Sequence, residues 1–203
     1  ETDLIHLQGI TLDPGAKTIA PSVPSGLIEF VGDSISAGGG PKMTKGALSS
    51  YPWLIGERLS MRHTQVAQGS ICLVDNVPCG APNNIGMSRQ YFKLQTVAYP
   101  NSPNWDFSRY QANAVVINLG TNDGRNSNIT AATFQSVYIT FIKSIRAKFP
   151  HAVIFVVRPF GGYFAAPTKA AAQAVRAAGD TNVQYIDTTG WLNSSDLTDQ
   201  LHP

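Results

Sequence analysis

Apolar positions along this chain fall into short, nearly continuous runs and longer periodic stretches, and the two patterns alternate. Leu27–Val31, Thr64–Ala67, Ala114–Leu119, Ala152–Val157 and Val183–Ile186 have the length and β-branched content of strands. In "AVVINL" almost every position is apolar, as expected of a parallel strand covered on both faces. Thr130–Lys148 spaces Phe134, Val137, Tyr138, Phe141 and Ile145 by threes and fours, with Pro150 just beyond, and predicts a long amphipathic helix. The alanine-rich stretch Thr168–Ala178, closed by Gly179, predicts a second helix. Ala47–Met61 predicts a third, with Pro52 marking a possible true start. The order βαβ…βαβαβ predicts an α/β fold, a three-layer α/β/α sandwich around a mostly parallel central sheet.

Two stretches depart from this rhythm. Residues 1–26 read as an extended lead-in punctuated by Pro and Gly, with neither helical nor strand period. Residues 69–113 separate two strands by far more than an ordinary crossover, are rich in Asn, Pro and Gly, and hold one predicted helix, Met87–Val97. Insertions of that length in a compact domain are commonly functional walls or lids. The expected domain plan is a linker over 1–26 and a single domain over 27–203.

Composition then narrows the function classes. The 203 residues are 43% hydrophobic and 14% charged, which suits one well-buried domain. The net charge is +2 with no clustered Lys/Arg run, so nucleic acid is not an expected partner. No apolar stretch reaches membrane-spanning length, and no G-x-G-x-x-G or P-loop follows the first strand, so neither a membrane nor a cofactor is expected. Cys72 and Cys79 lie close together in "CLVDNVPC", inside a loop-like stretch. A small disulfide staple is favoured there over two free thiols, and zinc is disfavoured because no second Cys/His pair is near. Asn128-Ile-Thr and Asn193-Ser-Ser are acceptor sequons for glycosylation. The chain begins at Glu1 without Met or an apolar leader, as after removal of a signal peptide or a larger upstream segment. These features together lean towards a secreted, extracellular protein.

Chemistry is concentrated at strand ends. In a parallel α/β sheet the C-terminal ends of the strands share one edge, where ligands bind. Gly32-Asp33-Ser34, Gly120-Thr121-Asn122-Asp123 and Arg158-Pro159-Phe160-Gly161-Gly162 all fall there. Polar residues cap any strand end, but three such clusters on one edge favour a site. Ser34 requires a base to act as a nucleophile. Of the four histidines, His6 lies in the lead-in, and His63 and His151 precede strands and belong to the opposite edge. His202 remains, with Asp199 three residues before it, a spacing that lets a carboxylate reach the imidazole Nδ1. The competing reading is a solvated tail histidine beside an incidental Asp, which elimination of the other histidines disfavours. Candidate oxyanion donors are the Ser34 N–H, the N–H of Gly69 in "AQGSIC" and the side-chain amide of Asn122, which could equally cap its loop. Asp33 is expected to stabilise the loop. The small residues of "ISAGGG" leave little bulk beside Ser34.

Taken in order, "FVGDSISAG", Gly69, "NLGTND" and "DQLH" resemble the successive blocks of the SGNH (GDSL-like) hydrolases. The resemblance implies a flavodoxin-like SGNH fold. It also implies Ser34 as nucleophile, Gly69 and Asn122 completing the oxyanion hole with the Ser34 N–H, and Asp199 and His202 as acid and base. "LQGITLDPGAKTIAP" and "NWDFSRYQANAVVINLGTND" further resemble carbohydrate esterase family 2, acetyl esterases of plant polysaccharides. That likeness implies an acetylated xylan- or mannan-type carbohydrate substrate and an open cleft bordered by aromatic residues. Trp105, Trp191 and the Tyr91/Tyr99 region are candidates for that border, or are packing residues.

Members of these groups carry a jelly-roll domain upstream and a last helix after the catalytic histidine. Neither is expected within these residues, so a histidine one residue before Pro203 is expected to be poorly held. The rival readings are a lipase, thioesterase or other carboxylester hydrolase with an apolar slot beside Ser34, and a non-catalytic carbohydrate-binding relative with Ser34 and His202 far apart.

Overall fold

In a computed structural model, residues 9–40 and 46–203 are described, so His6 lies outside the described residues. The strands are β1 (Leu27–Gly32), β2 (Arg62–Ala67), β3 (Ala114–Asn118), β4 (Val153–Val157) and β5 (Val183–Ile186). The helices are α1 (Ser34–Ala37), α2 (Tyr51–Leu59), α3 (Met87–Gln90), α4 (Thr121–Gly124), α5 (Ala131–Lys148) and α6 (Ala165–Ala177). All five strands pair in parallel in the order β2-β1-β3-β4-β5. This is the expected α/β fold with a parallel sheet flanked by helices. After β2 the chain returns across β1 to form β3, so the direction of strand addition reverses between β1 and β3. A crevice opens at such a switch point, because the loops leaving the two strands diverge to opposite sides.

The sheet faces are covered unequally. On one face Val31, Val115, Ile117, Ile154, Val156 and Val183 join the main core with the apolar stripe of α5 and with Ala171, Ala172 and Val175 of α6. Phe134, Tyr138, Phe141 and Ile145, the positions that predicted α5, are all buried there. On the other face α2 covers β1 and β2, where Tyr51 meets the Phe30 ring edge-on and Trp53 meets His63. Beyond α2, Val116 on β3, Phe155 on β4 and Ile186 on β5 are only half-buried. On this side the third layer is a single helix among the described residues.

Three helix boundaries differ from expectation, two for a local reason and one through a distant partner. Ala47–Met61 divides into a 3₁₀ turn at Gly46–Ser49 and α2, with Ser50 extended between them and Pro52 in the first turn of α2. There a missing N–H costs nothing, because the first four helical N–H groups have no intrahelical acceptor. For the same reason α6 begins at Ala165, ahead of Pro167. Met87–Val97 is helical only through Gln90. Beyond it Lys93 forms a bridge with Asn104, and the Leu94 N–H donates to the Pro103 carbonyl at 2.9 Å. A paired partner from a distant part of the insertion thus replaces the next helical turn.

The lead-in is exposed from Gly9 to Ser25 and forms no regular element. The insertion, in contrast, is packed. Ile71, Leu73, Met87, Tyr91, Val97 and Phe107 belong to the main core. Its first bend is closed by the Cys72–Cys79 disulfide. It is tied to the sheet by Asp123 on α4, whose carboxylate accepts the N–H groups of Leu73 at 2.9 Å and Val74 at 3.0 Å.

A cross-link over so short a loop removes unfolded-state entropy worth about 2–3 kcal/mol. Urea unfolding of the oxidised protein and of a Cys72→Ser/Cys79→Ser variant is expected to differ by that amount. Equal midpoints would mean that the staple contributes nothing beyond the packing of the loop.

Candidate active site

Ser34 sits where β1 hands over to α1. Asp33 caps that short helix, with Oδ1 accepting the Ile35 N–H at 3.0 Å and its carbonyl accepting the Ala37 N–H at 2.9 Å. The turn lifts Ser34 onto the C-terminal edge of the sheet with its side chain half-buried. Its Oγ lies 2.9 Å from Nε2 of His202. The other ring nitrogen, Nδ1, lies 2.7 Å from Oδ2 of Asp199. His63 and His151 lie at the far end of the sheet, as expected. Among the described residues only His202 reaches Ser34.

The tail segment carrying His202 is firmly held, contrary to expectation. Asp199 Oδ1 accepts the N–H groups of Leu201 at 3.1 Å and His202 at 2.8 Å. Thr198 closes the same turn, donating its N–H at 2.7 Å and its hydroxyl at 3.1 Å to the His202 carbonyl. Because D-x-x-H folds back on itself, the carboxylate and imidazole are oriented by their own backbone. The backbone N–H of His202, and then its ring, hold the Asp199 carboxyl down at about 2. An ionised Asp199 favours the tautomer with the proton on Nδ1, which leaves Nε2 free to accept from the Ser34 hydroxyl.

Three donors bear on the space beside Ser34. As first residue of α1, Ser34 has an N–H with no intrahelical acceptor. The Gly69 N–H follows β2 and meets no acceptor among the described residues. A Cβ at Gly69 would point into open space, with no heavy atom within 4 Å. The backbone is therefore approachable from that side. Asn122 on α4 spends one amide hydrogen on the Ile71 carbonyl at 2.9 Å, which fixes the side chain and leaves the second hydrogen free. The turn into α4 requires glycine at 120, where φ is +125° and a Cβ would sit 3.0 Å from the Phe134 ring.

A buried polar group underlies the site. Ser36 Oγ and the Tyr51 hydroxyl are 2.8 Å apart. Asp33 Oδ2, the Asn118 amide and the Thr121 hydroxyl are buried without a hydrogen-bond partner. The Thr121 hydroxyl stands near enough to Asp33 to favour its charged form, yet outside hydrogen-bonding geometry. Burial raises the carboxyls of both Asp33 and Asp123 to about 6.

The two tryptophans proposed for the cleft part company. Trp191 is 60% exposed on the turn after β5, at the same edge as Ser34. Its neighbour Leu192 borders a cavity of about 210 Å³ with Ile35, Leu54, Phe160 and Pro203. Trp105 instead packs beside Tyr110 under the Arg109 guanidinium and lines a separate cavity on the β2 side, which His202 does not border. Tyr91 is buried beside that cavity, whereas Tyr99 lies at the surface. Asn128 and Asn193 are both exposed, and Asn193 Oδ1 accepts the N–H of Ser195 in its own sequon at 2.9 Å. Sequence reasoning missed two groups: Asp123 as anchor of the insertion, and Glu29. The signal for Glu29 was present as a lone carboxylate in "LIEFV". No metal-binding cluster of three or more His, Cys, Asp or Glu occurs among the described residues.

Residues 30–203 match the GDSL-like Lipase/Acylhydrolase family, and the chain belongs to that family. Within the SGNH/GDSL-like hydrolases it is related to the family 2 carbohydrate esterases. Two curated relatives are similar in sequence. One is the cellulase/esterase CelE of Acetivibrio thermocellus, 31% identical over 161 residues, covering 74% of this chain and 19% of that protein. The other is an acetylxylan esterase/glucomannan deacetylase of Cellvibrio japonicus, 25% identical over 159 residues, covering 74% of this chain and 44% of the relative. Among solved structures, a family two carbohydrate esterase from Clostridium thermocellum in complex with cellohexaose superposes with a TM-score of 0.77 at 26% identity. That match covers 92% of this chain and 61% of the other. The chain thus spans less than two thirds of each of these proteins.

The two raised carboxyls set a pH dependence of stability. Asp33 and Asp123 titrate near about 4 in an unfolded chain, and at about 6 when folded. As pH rises the unfolded state releases these protons first. Their contribution is therefore complete below about pH 4 and is lost as pH rises through about 6, on the order of 2–3 kcal/mol for each group. Urea unfolding at pH 4 and pH 7 checks this: the difference between the two is expected to shrink in Asp33→Asn. The same difference in wild type and variant would contradict it.

Proposed function

We propose that this protein is a serine esterase that removes acetyl groups from plant cell-wall polysaccharides or oligosaccharides of xylan or mannan type. The observation that carries the reading is the bonded chain from Ser34 Oγ to His202 Nε2, at 2.9 Å, and from His202 Nδ1 to Asp199 Oδ2, at 2.7 Å. Ser34 Oγ attacks the acyl carbonyl carbon while His202 Nε2 takes its proton, and ionised Asp199 stabilises the imidazolium. Negative charge on the carbonyl oxygen is met by the N–H groups of Ser34 and Gly69 and the free amide hydrogen of Asn122. Collapse expels the sugar alkoxide, which receives the proton from His202, and leaves an acyl-enzyme. Water then attacks, gives its proton to His202, and frees acetate as Ser34 recovers its hydrogen. The carbohydrate substrate is carried over from the relatives and is supported by the exposed Trp191 at this edge.

One observation favours a second reading, a carboxylester hydrolase of broader acyl range. The apolar cavity of about 210 Å³ bordered by Ile35, Leu54, Phe160, Leu192 and Pro203 begins one residue from Ser34 and one from His202. The 2.9 Å contact speaks against a non-catalytic relative. We place the protein outside the cell, a reading supported by the disulfide in an oxidising setting.

The catalytic unit over 27–203 belongs in this reading to a longer protein, with 1–26 as the linker from an upstream jelly-roll domain. The exposed lead-in supports the linker, and the half-buried strip of Val116, Phe155 and Ile186 supports a further helix on that face. A chain extended beyond Pro203 is expected to bind less of a hydrophobic dye such as ANS and to unfold at higher temperature. Equal dye binding in both would count against the helix.

Kinetics separate the readings of the site. Burst release of p-nitrophenol from p-nitrophenyl acetate is expected in wild type and absent in Ser34→Ala; retained turnover in that variant would sink the assignment. Asp199→Asn should lower kcat by roughly 10²–10⁴ and Asn122→Ala by roughly 10²–10³. Acetyl esters should be cleaved faster than octanoyl esters, and the reverse order would favour the broader hydrolase.

A further inference from the structure

A buried carboxylate stands in the middle of β1 and the chemistry at Ser34 makes no use of it. Glu29 is 0% exposed. Its carboxylate accepts hydrogen bonds from the hydroxyls of Tyr91 and Tyr110, and from Thr64 at 3.2 Å. Tyr91 and Tyr110 come from the insertion and Thr64 from β2. An apolar residue at this position would fill the space against the sheet at lower cost than a charge held by three donors. Burial raises the Glu29 pKa, with the three hydroxyls opposing the shift.

Glu29 lines a cavity of about 360 Å³ between the insertion and the free side of β2. Because β2 pairs only with β1, its outward backbone groups border this space. The aromatic wall comes from Trp105, Phe107 and Tyr110, and the polar wall from Gln68, Gln90 and Gln95, while the Gln65 amide turns to the other face and donates to the Ser36 carbonyl and the Ser50 hydroxyl. Leu94 and Thr96 are exposed at the rim. None of Ser34, Asn122, Asp199 or His202 lines it, although Gln68, adjacent to Gly69, does.

The composition of the wall selects a ligand chemistry. An anion would face the Glu29 carboxylate with Lys93 as the one lining cation. An aliphatic chain would strip water from three amides and return no hydrogen bond. A neutral ring with hydroxyls at its edge and C–H groups on its face satisfies both walls: amides bond the hydroxyls, and aromatic rings, with Tyr110 held in place by the buried Glu29, cover the apolar face. We propose that this cavity is a second carbohydrate site, separate from the catalytic edge, which takes one neutral sugar ring against Trp105 and the amides of Gln68, Gln90 and Gln95. It rests on the carbohydrate reading of the protein and would hold an oligosaccharide at a point remote from the scissile ester.

The three tryptophans report on three different places. Trp105 lines this cavity, Trp191 stands at the catalytic edge, and Trp53 packs on His63 across the sheet. The test titrates ¹⁵N-labelled Ser34→Ala protein with unacetylated xylotriose and, separately, mannotriose, following the three indole N–H signals. Trp105→Phe assigns the Trp105 signal by its disappearance. A saturable shift of the Trp105 signal with Trp53 unmoved is expected for at least one sugar. Gln95→Ala and the rim variant Thr96→Trp should each weaken that response by about tenfold. Thr96 is exposed, so its variant tests the site even if Gln95→Ala disturbs the loop. Movement of Trp191 alone, no movement at all, or an unchanged affinity in Thr96→Trp would overturn the second site. The readout requires no turnover, so this inference and the esterase assignment can fail independently of one another.

Discussion

One hydrogen bond, from Ser34 to His202, joins residues 168 positions apart, and the arrangement of the candidate site depends on it. Its two ends are prepared locally. Asp33 caps α1 and sets the serine at the start of a helix, while the turn from Thr198 to His202 orients the imidazole with its own backbone. Each half costs little conformational entropy, because the residues that orient the group are at most four positions away. The sheet then has only to bring two preformed turns together.

The sheet does so through its strand order. Since β3 lies on the opposite side of β1 from β2, the loops after these strands frame Ser34 from three directions. Gly69 arrives from β2, Ser34 from β1 and Asn122 from β3. The Asn122 amide is aimed by the Ile71 carbonyl, and the neighbouring Asp123 clamps Leu73 and Val74. Adjacent residues of one short helix thus serve different ends: Asn122 faces the site, and Asp123 secures the loop that forms its wall. Their environments differ accordingly, with Asp123 buried and its carboxyl raised. Asp199 lies in water and its carboxyl is depressed.

The insertion between β2 and β3 forms the molecule's second centre of polarity. Its aromatic residues pack on α5, where Tyr91 and Phe92 meet Phe141 edge-on. The same segment brings two tyrosine hydroxyls onto Glu29. A wall built this way is packed at its base, where Tyr91 and Phe107 are buried, and exposed at its rim, at Leu94 and Thr96. Among the described residues the opposite face of the sheet has no comparable cover beyond α2, so the two sides differ there in both packing and accessibility.

Much of this was legible in the residues themselves. Strand runs and the α5 stripe are local patterns, repeated every two or about four positions, and they do not depend on what packs against them. The Asp199–His202 spacing is local too, and with the expected strand order placing His63 and His151 at the opposite edge it singled out Ser34, Asp199 and His202. What only the tertiary structure decided are the matters settled by distant partners. Met87–Val97 stops being helical at Gln90 because Asn104 and Pro103 supply its next backbone partners. Trp105 lies in a cavity beside β2 because Tyr110 and Arg109 hold it there. Glu29 appeared as a lone charge in an apolar strand, and its meaning depended on two tyrosines 62 and 81 residues away. Periodicity reaches only a few residues along the chain, whereas the desolvation and pairing of a buried charge depend on whichever segments the fold places around it.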